Sequence, residues 1–270
     1  MTEEPELSVT SPRDIHAFHF STNKKIFLGS VKLRDVPGAL SNATASIAKL
    51  GVNLVGSNSS RVAAVGVAEW GFFAEADDGH ISPSEIEAEL RRTDSVVDCK
   101  VRGAEGRVLV DTLHYPLRLN AMAQAIIIRK NVFSNMLKFM VETYGSAGQA
   151  LAYQLGKATG ESDGMDLIKE IGDERLLENL PELINLYIAQ GWGIPELVYL
   201  EFEPLSATVR LEDCFECNDR SSIVPVSNFI RGHLAGLGKA FFDRSIDCVE
   251  TKCVARGDAY CEFVAKETFH

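Results

Sequence analysis

"CVETKCVARGDAYCEF", residues 248–263, holds three cysteines within sixteen positions. Its two flanks alternate in polarity as strands do, and the loop between them contains Gly257, which suits a tight hairpin turn. Cys253 and Cys261 therefore sit at opposite shoulders of one hairpin. Counting by twos along a regular strand places Cys248 and Glu250 on the face opposite Cys253. Cys248 is expected to be a bystander, and Glu250 is excluded as an oxygen ligand unless a bulge intervenes.

Upstream, "CFEC" presents Cys214 and Cys217 with the two-residue spacing that lets one turn offer two sulfurs to a metal. Zinc takes about four ligands in a tetrahedron, thiolates commonly among them. Cys214, Cys217, Cys253 and Cys261 are the candidate ligands of a structural zinc. The competing reading is that these cysteines pack as small hydrophobes in the core.

Around this block the period is two in "ELVYLEFEP" and "SATVRLEDCFEC", and helical in "PVSNFIRGHLAGLGKAFFD". Before it come an apolar "AIII", read as a buried strand end, and a helix stepping through Val132, Met136, Phe139, Met140 and Tyr144. The glycine-containing "SAGQALAYQLGKATG" reads as a second helix, with "GMDLIKEIG" and "ERLLENLPELINLYIAQGWG" as two more. Helices gathered before and between antiparallel strands make an α+β domain over residues 119–270. An apolar pocket with one or two polar groups is expected from its aromatic and methionine side chains: Met136, Met140, Tyr144, Tyr153, Trp192 and Tyr199, with His233 as hydrogen-bonding partner. No side chain is assigned as catalytic, for no dinucleotide fingerprint, phosphate loop or hydrolase order is found.

The first part of the chain follows a different plan. After a polar leader, residues 1–23, "KIFLGSVKL" is a strand and "ALSNATASIAKLG" a helix. "NLVGSNSSRV" and "AEWGFFAEA" are strands, "PSEIEAELRR" is a helix capped by Ser82, and "VVDCKVRG" is a last strand. The order βαββαβ is that of the ferredoxin-like unit, here over residues 24–103. Residues 104–118 then form a linker and connecting strand.

Two resemblances rest on these residues. "LRDVPGALSNATASIAKLGVNLV" resembles the opening of an ACT domain. The resemblance implies a regulatory module that pairs side by side and often binds an amino acid, with Asp35, Pro37, Gly38 and Asn53 as ligand-facing positions. "YGSAGQALAYQLGKATG", "GWGIPEL", "FIRGHLAGLGKAFF" and "VETKCVARGDAYCEF" resemble the 4-vinyl-reductase domain family. That resemblance implies an α/β pouch for a small hydrophobic molecule (aromatic, hydrocarbon or tetrapyrrole-like) in a homodimer. Zinc-binding sensors of that family take a further thiol where this chain has Ser227.

Composition bounds the function. The 270 residues carry 38 acidic and 27 basic side chains, a net charge of -11 that opposes direct nucleic-acid binding. No stretch has the roughly 20 apolar residues that cross a bilayer, and the acidic start does not resemble a signal peptide, so a cytoplasmic protein is expected. The expected function is that of a regulatory sensor. A reductase acting on a tetrapyrrole or aromatic substrate, with the ACT-like unit as allosteric control, is the alternative.

Overall fold

The computed structural model describes residues 12–62, 66–77, 81–119, 123–217 and 219–268. The chain divides into two compact units, Met1–Ala125 and Ile126–His270.

In the first unit the elements run β1 (Phe18–Phe20), β2 (Lys25–Arg34), α1 (Ala39–Ala48), β3 (Asn53–Val62), β4 (Val67–Ala76), α2 (Pro83–Arg91), β5 (Val96–Gly103), β6 (Val108–Val110), β7 (Arg118–Leu119) and β8 (Ala123–Gln124). β2 to β5 form a four-stranded sheet in the order β3-β4-β2-β5, every neighbour antiparallel. Side chains alternate across it. Phe27, Val31 and Leu33 join Ile47, Trp70 and Leu90 in one core, while Ile26, Leu28 and Phe73 face the other way, onto Leu109. Gly29 is required at its place, because a Cβ there would lie 2.1 Å from the Phe72 ring. Ser82 caps α2 with a full capping box: Glu85 donates its amide to the Ser82 hydroxyl and accepts the Ser82 amide in return.

Three expectations are corrected here. Residues 18–20 of the supposed flexible leader form β1, which pairs with β6, a strand that the sequence had placed in a linker; residues 1–11 lie outside the described residues. Ile126, Ile127 and Ile128 are not a buried strand end but lie exposed, at 82%, 57% and 44%. Of the predicted helical stripe, Leu40 is exposed, and the face that α1 buries is Ala39, Ala43, Ser46 and Ile47.

In the second unit α3 (Lys130–Tyr144) and α4 (Ser146–Ile171) precede three short helices, α5 (Asp173–Glu178), α6 (Leu180–Leu183) and α7 (Leu186–Ala189). Then come β9 (Ile194–Phe202), β10 (Leu205–Glu212), α8 (Asn228–Phe242), β11 (Ile246–Lys252), a 3-10 turn over Val254–Arg256, and β12 (Cys261–Glu267). The sheet runs β11-β12-β10-β9, all antiparallel.

α4 is one helix of 26 residues where two separate helices were expected. The glycines that read as breaks are its contact with α8. A Cβ on Gly156 would meet the Phe229 carbonyl oxygen at 2.0 Å, and one on Gly160 the His233 carbonyl at 2.1 Å. From the other side, Gly232 and Gly236 of α8 would meet the carbonyls of Tyr153 and Lys157 at 2.0 and 2.2 Å. The two backbones touch, so neither helix can be shifted sideways without opening the pair.

Candidate metal centre and apolar cavity

The hairpin of β11 and β12 carries the first site. In a regular strand Glu250 and Cys253 would face opposite ways. The pairing of β11 with β12 instead slips by one residue between Glu250 and Lys252. This irregularity turns Cys248, Glu250 and Cys253 all to the buried side, which corrects the expectation that Cys248 and Cys253 point apart. Cys261, opening β12, completes the shoulder.

Cys217, Glu250, Cys253 and Cys261 bring three sulfurs and a carboxylate oxygen within 4.8 Å of one another, all buried. The Cys217 sulfur lies 3.5 Å from Cys253 and 3.4 Å from Cys261. Ser227 stands beside them. Its hydroxyl is 2.9 Å from the Cys217 sulfur and 3.7 Å from that of Cys214, and it donates to Glu250 Oε1 at 2.8 Å while its amide donates to Oε2 at 2.9 Å. Cys214 is therefore a fully buried neighbour of the cluster and not one of its four closest donors. Cys248 is buried too, its thiol pushed up by desolvation, and is not one of the four.

The electrostatics suit a cation. Burial pushes the Glu250 carboxyl up to about 7, with Ser227 hydrogen bonds opposing and Cys253 adding to the rise. Hydrogen bonds from Cys217 and Cys261 hold Cys214 well below the ordinary thiol range, and serving as donor to its neighbours holds Cys261 far above it. The pocket thus tolerates little negative charge by itself, whereas a divalent ion would draw three thiolates and a carboxylate together. The surroundings are built for it: the Val254 amide points at the Cys261 sulfur at 3.4 Å, and Asp258, paired with Arg256, accepts the Cys253 amide at 2.8 Å. The sequence reading had set Glu250 aside on strand alternation. The odd Glu-x2-Cys step was the available signal.

A cavity of about 90 Å³ lies between α8 and the sheet. α8 gives it Leu234, Leu237, Phe241 and Phe242; β9 and β10 give Leu197, Leu200, Ala207 and Val209; Ile246, Phe263 and Ala265 come from the hairpin strands, and Leu180 and Ile184 close it. Every lining side chain is apolar.

The residues expected to line a pocket lie elsewhere. Met136, Tyr144 and Tyr199 are exposed at 55%, 62% and 48%. Met140, Tyr153 and Trp192 pack against the core, Tyr153 donating to Asp247 at 3.1 Å with its own hydroxyl pushed up to about 12 by burial. His233 is buried within hydrogen-bond reach of Tyr187 at 2.8 Å and Asp163 at 3.1 Å, with the Trp192 ring edge-on at 4.7 Å. These side chains form an aromatic core, and none of them lines this cavity. The error has a physical reason: aromatic rings pack against one another edge to face, whereas the void is left between aliphatic side chains of unequal length.

In the first unit Asp35 is ion-paired with Arg61, Pro37 and Asn53 are exposed, and Gly38 takes a left-handed φ of 84° at the start of α1.

Three comparisons bear on this arrangement. The uncharacterized protein MJ0150 of Methanocaldococcus jannaschii is 29% identical over 127 residues, 47% of this chain and 69% of its own length. The phenol-responsive sensory domain of the transcription activator PoxR is 20% identical, with a TM-score of 0.46 over 54% of this chain and 77% of that one. An ACT domain protein from Streptococcus pneumoniae is 17% identical, with a TM-score of 0.26 over 31% of this chain and 92% of that one. Residues 207–267, which hold the metal-ligating candidates and most of the cavity wall, match the family model of the 4-vinyl-reductase domain.

Proposed function

We propose that the chain is a regulatory sensor whose second unit, the one containing the 4-vinyl-reductase domain, binds a small hydrophobic molecule in the cavity between α8 and the sheet. The observation that carries the reading is the cavity wall, which offers a guest no side-chain hydrogen-bonding group. An engineered cavity of about 150 Å³ lined by Leu, Ile and Phe stays dry and binds benzene. At about 90 Å³ this one suits a guest no larger than one ring. A structural zinc held by Cys217, Glu250, Cys253 and Cys261 closes the hairpin beside it, with Cys214 in reserve. The first unit, with its βαββαβ order, is read as an ACT-type module for homodimerisation or for an amino acid near Asp35, Pro37, Gly38 and Asn53.

Toluene tests the cavity. Titrated into the purified chain, it is expected to shift the NMR methyl signals of Leu234, Leu237 and Val209, and Ala207→Phe, which fills the space, should abolish the shifts. Binding that survives Ala207→Phe unchanged, or no binding to the parent chain, refutes the assignment of this cavity.

A further inference from the structure

The metal cluster and the cavity share their walls. β11 lines the cavity with Ile246 and reaches the cluster with Glu250, four residues or about 13 Å further along. β12 contributes Cys261 to the cluster and Phe263, two residues on and on the same buried face, to the cavity. α8 is tied to the cluster at its N-terminus and turns Leu234 and Leu237 into the cavity, Leu234 standing two turns or about 10 Å from Ser227.

The tie at the N-terminus of α8 is doubled. Glu250 takes the amide and hydroxyl of Ser227, and Glu216, fully buried, takes the amides of Phe229 and Ile230 at 3.0 Å each. The helix cannot absorb a displacement by leaning on α4, because the glycine contacts leave no space between the two backbones. A change at the cluster must therefore be carried along α8, β11 and β12 into the cavity wall.

We propose that zinc at the cluster and the guest in the cavity are thermodynamically linked through these three shared elements, each tightening the binding of the other. This rests on the ligand-binding reading above and adds to it a direction. A chain that has lost its metal loosens its hold on the guest, and a guest protects the metal by the same factor, as linkage requires.

The experiment uses toluene as guest and the full chain. Toluene affinity is measured by calorimetry on zinc-loaded and zinc-free protein, and zinc transfer to a chromophoric chelator is measured with and without saturating toluene. The expected result is at least a fivefold weaker toluene affinity without zinc and an equal factor in the chelator equilibrium, the lower end of ordinary coupling. Loss of zinc that unfolds the chain would by itself disfavour the guest. The titration is therefore repeated on cadmium-loaded protein, whose longer metal–sulfur bonds displace the cluster ends of the shared elements in a folded chain. A toluene affinity changed twofold or more between the zinc and cadmium forms then supports the linkage. Equal affinity in all folded forms overturns it and leaves the cavity reading standing; absence of toluene binding to the zinc-loaded chain overturns both.

Discussion

Glu216 shows how much a single buried carboxylate sets. Burial lifts it to about 7 from an ordinary 4.5, although two helix amides stabilise its charged form. The folded chain thus holds this proton more tightly than the unfolded one. The group's contribution to stability is fully present below pH 4.5 and is lost as pH rises through about 7, a swing of roughly 3 kcal/mol. Glu216→Gln does not titrate, so urea unfolding of this variant should show a stability difference between pH 4.5 and 8 smaller than the parent's by about that amount. Cys248 makes a second residue-scale case. Being 1% exposed, it should lose about 1–3 kcal/mol on replacement by serine, through an unpaired buried hydroxyl, with zinc content unchanged. Cys253→Ser should lose both zinc and thermal stability, since binding free energy at such a centre is folding free energy. Elemental analysis alongside thermal melts separates the two.

At the scale of elements, the α4–α8 pair reverses the ordinary rule for glycine. Helix propensity alone favours Gly156→Ala by about 1 kcal/mol. The added Cβ would sit 2.0 Å from a backbone oxygen, so the variant should instead be destabilised by about 1–3 kcal/mol or more in urea unfolding. The same contact explains what sequence reading could and could not see. Glycine spaced every four residues is a helix-breaking pattern in isolation and a packing pattern in a partner's presence, and only the partner decides between them. Period-two strands such as β10 and β12, and the capped start of α2, were legible because their signals are local. β1 was not, since its pairing with β6 joins residues about ninety positions apart in three-residue strands. Of the site, Cys217, Cys253 and Cys261 were legible from spacing. Glu250 and the cavity lining were not, because one depends on a strand irregularity and the other on where aliphatic side chains fail to meet.

For the whole molecule, the division at Ala125 and Ile126 places every cluster donor and every cavity residue within one unit. Residues 126–270 expressed alone are therefore expected to bind one equivalent of zinc, and toluene with the affinity of the full chain. Calorimetry on both checks this, and a large loss of either would assign the first unit a part in forming the sites.

The slip of β11 between Glu250 and Lys252 has a use beyond this chain. Strand alternation is a parity rule, and a carboxylate and a thiol three positions apart break it. Where such an odd step precedes a loop closed by another thiol, the conflict between parity and chemistry is itself information. It says that a residue has been bulged out of the ladder so that the donors face the same interior. A reader of unrelated sequences can search for that mismatch deliberately, taking a failed alternation as the mark of a buried centre.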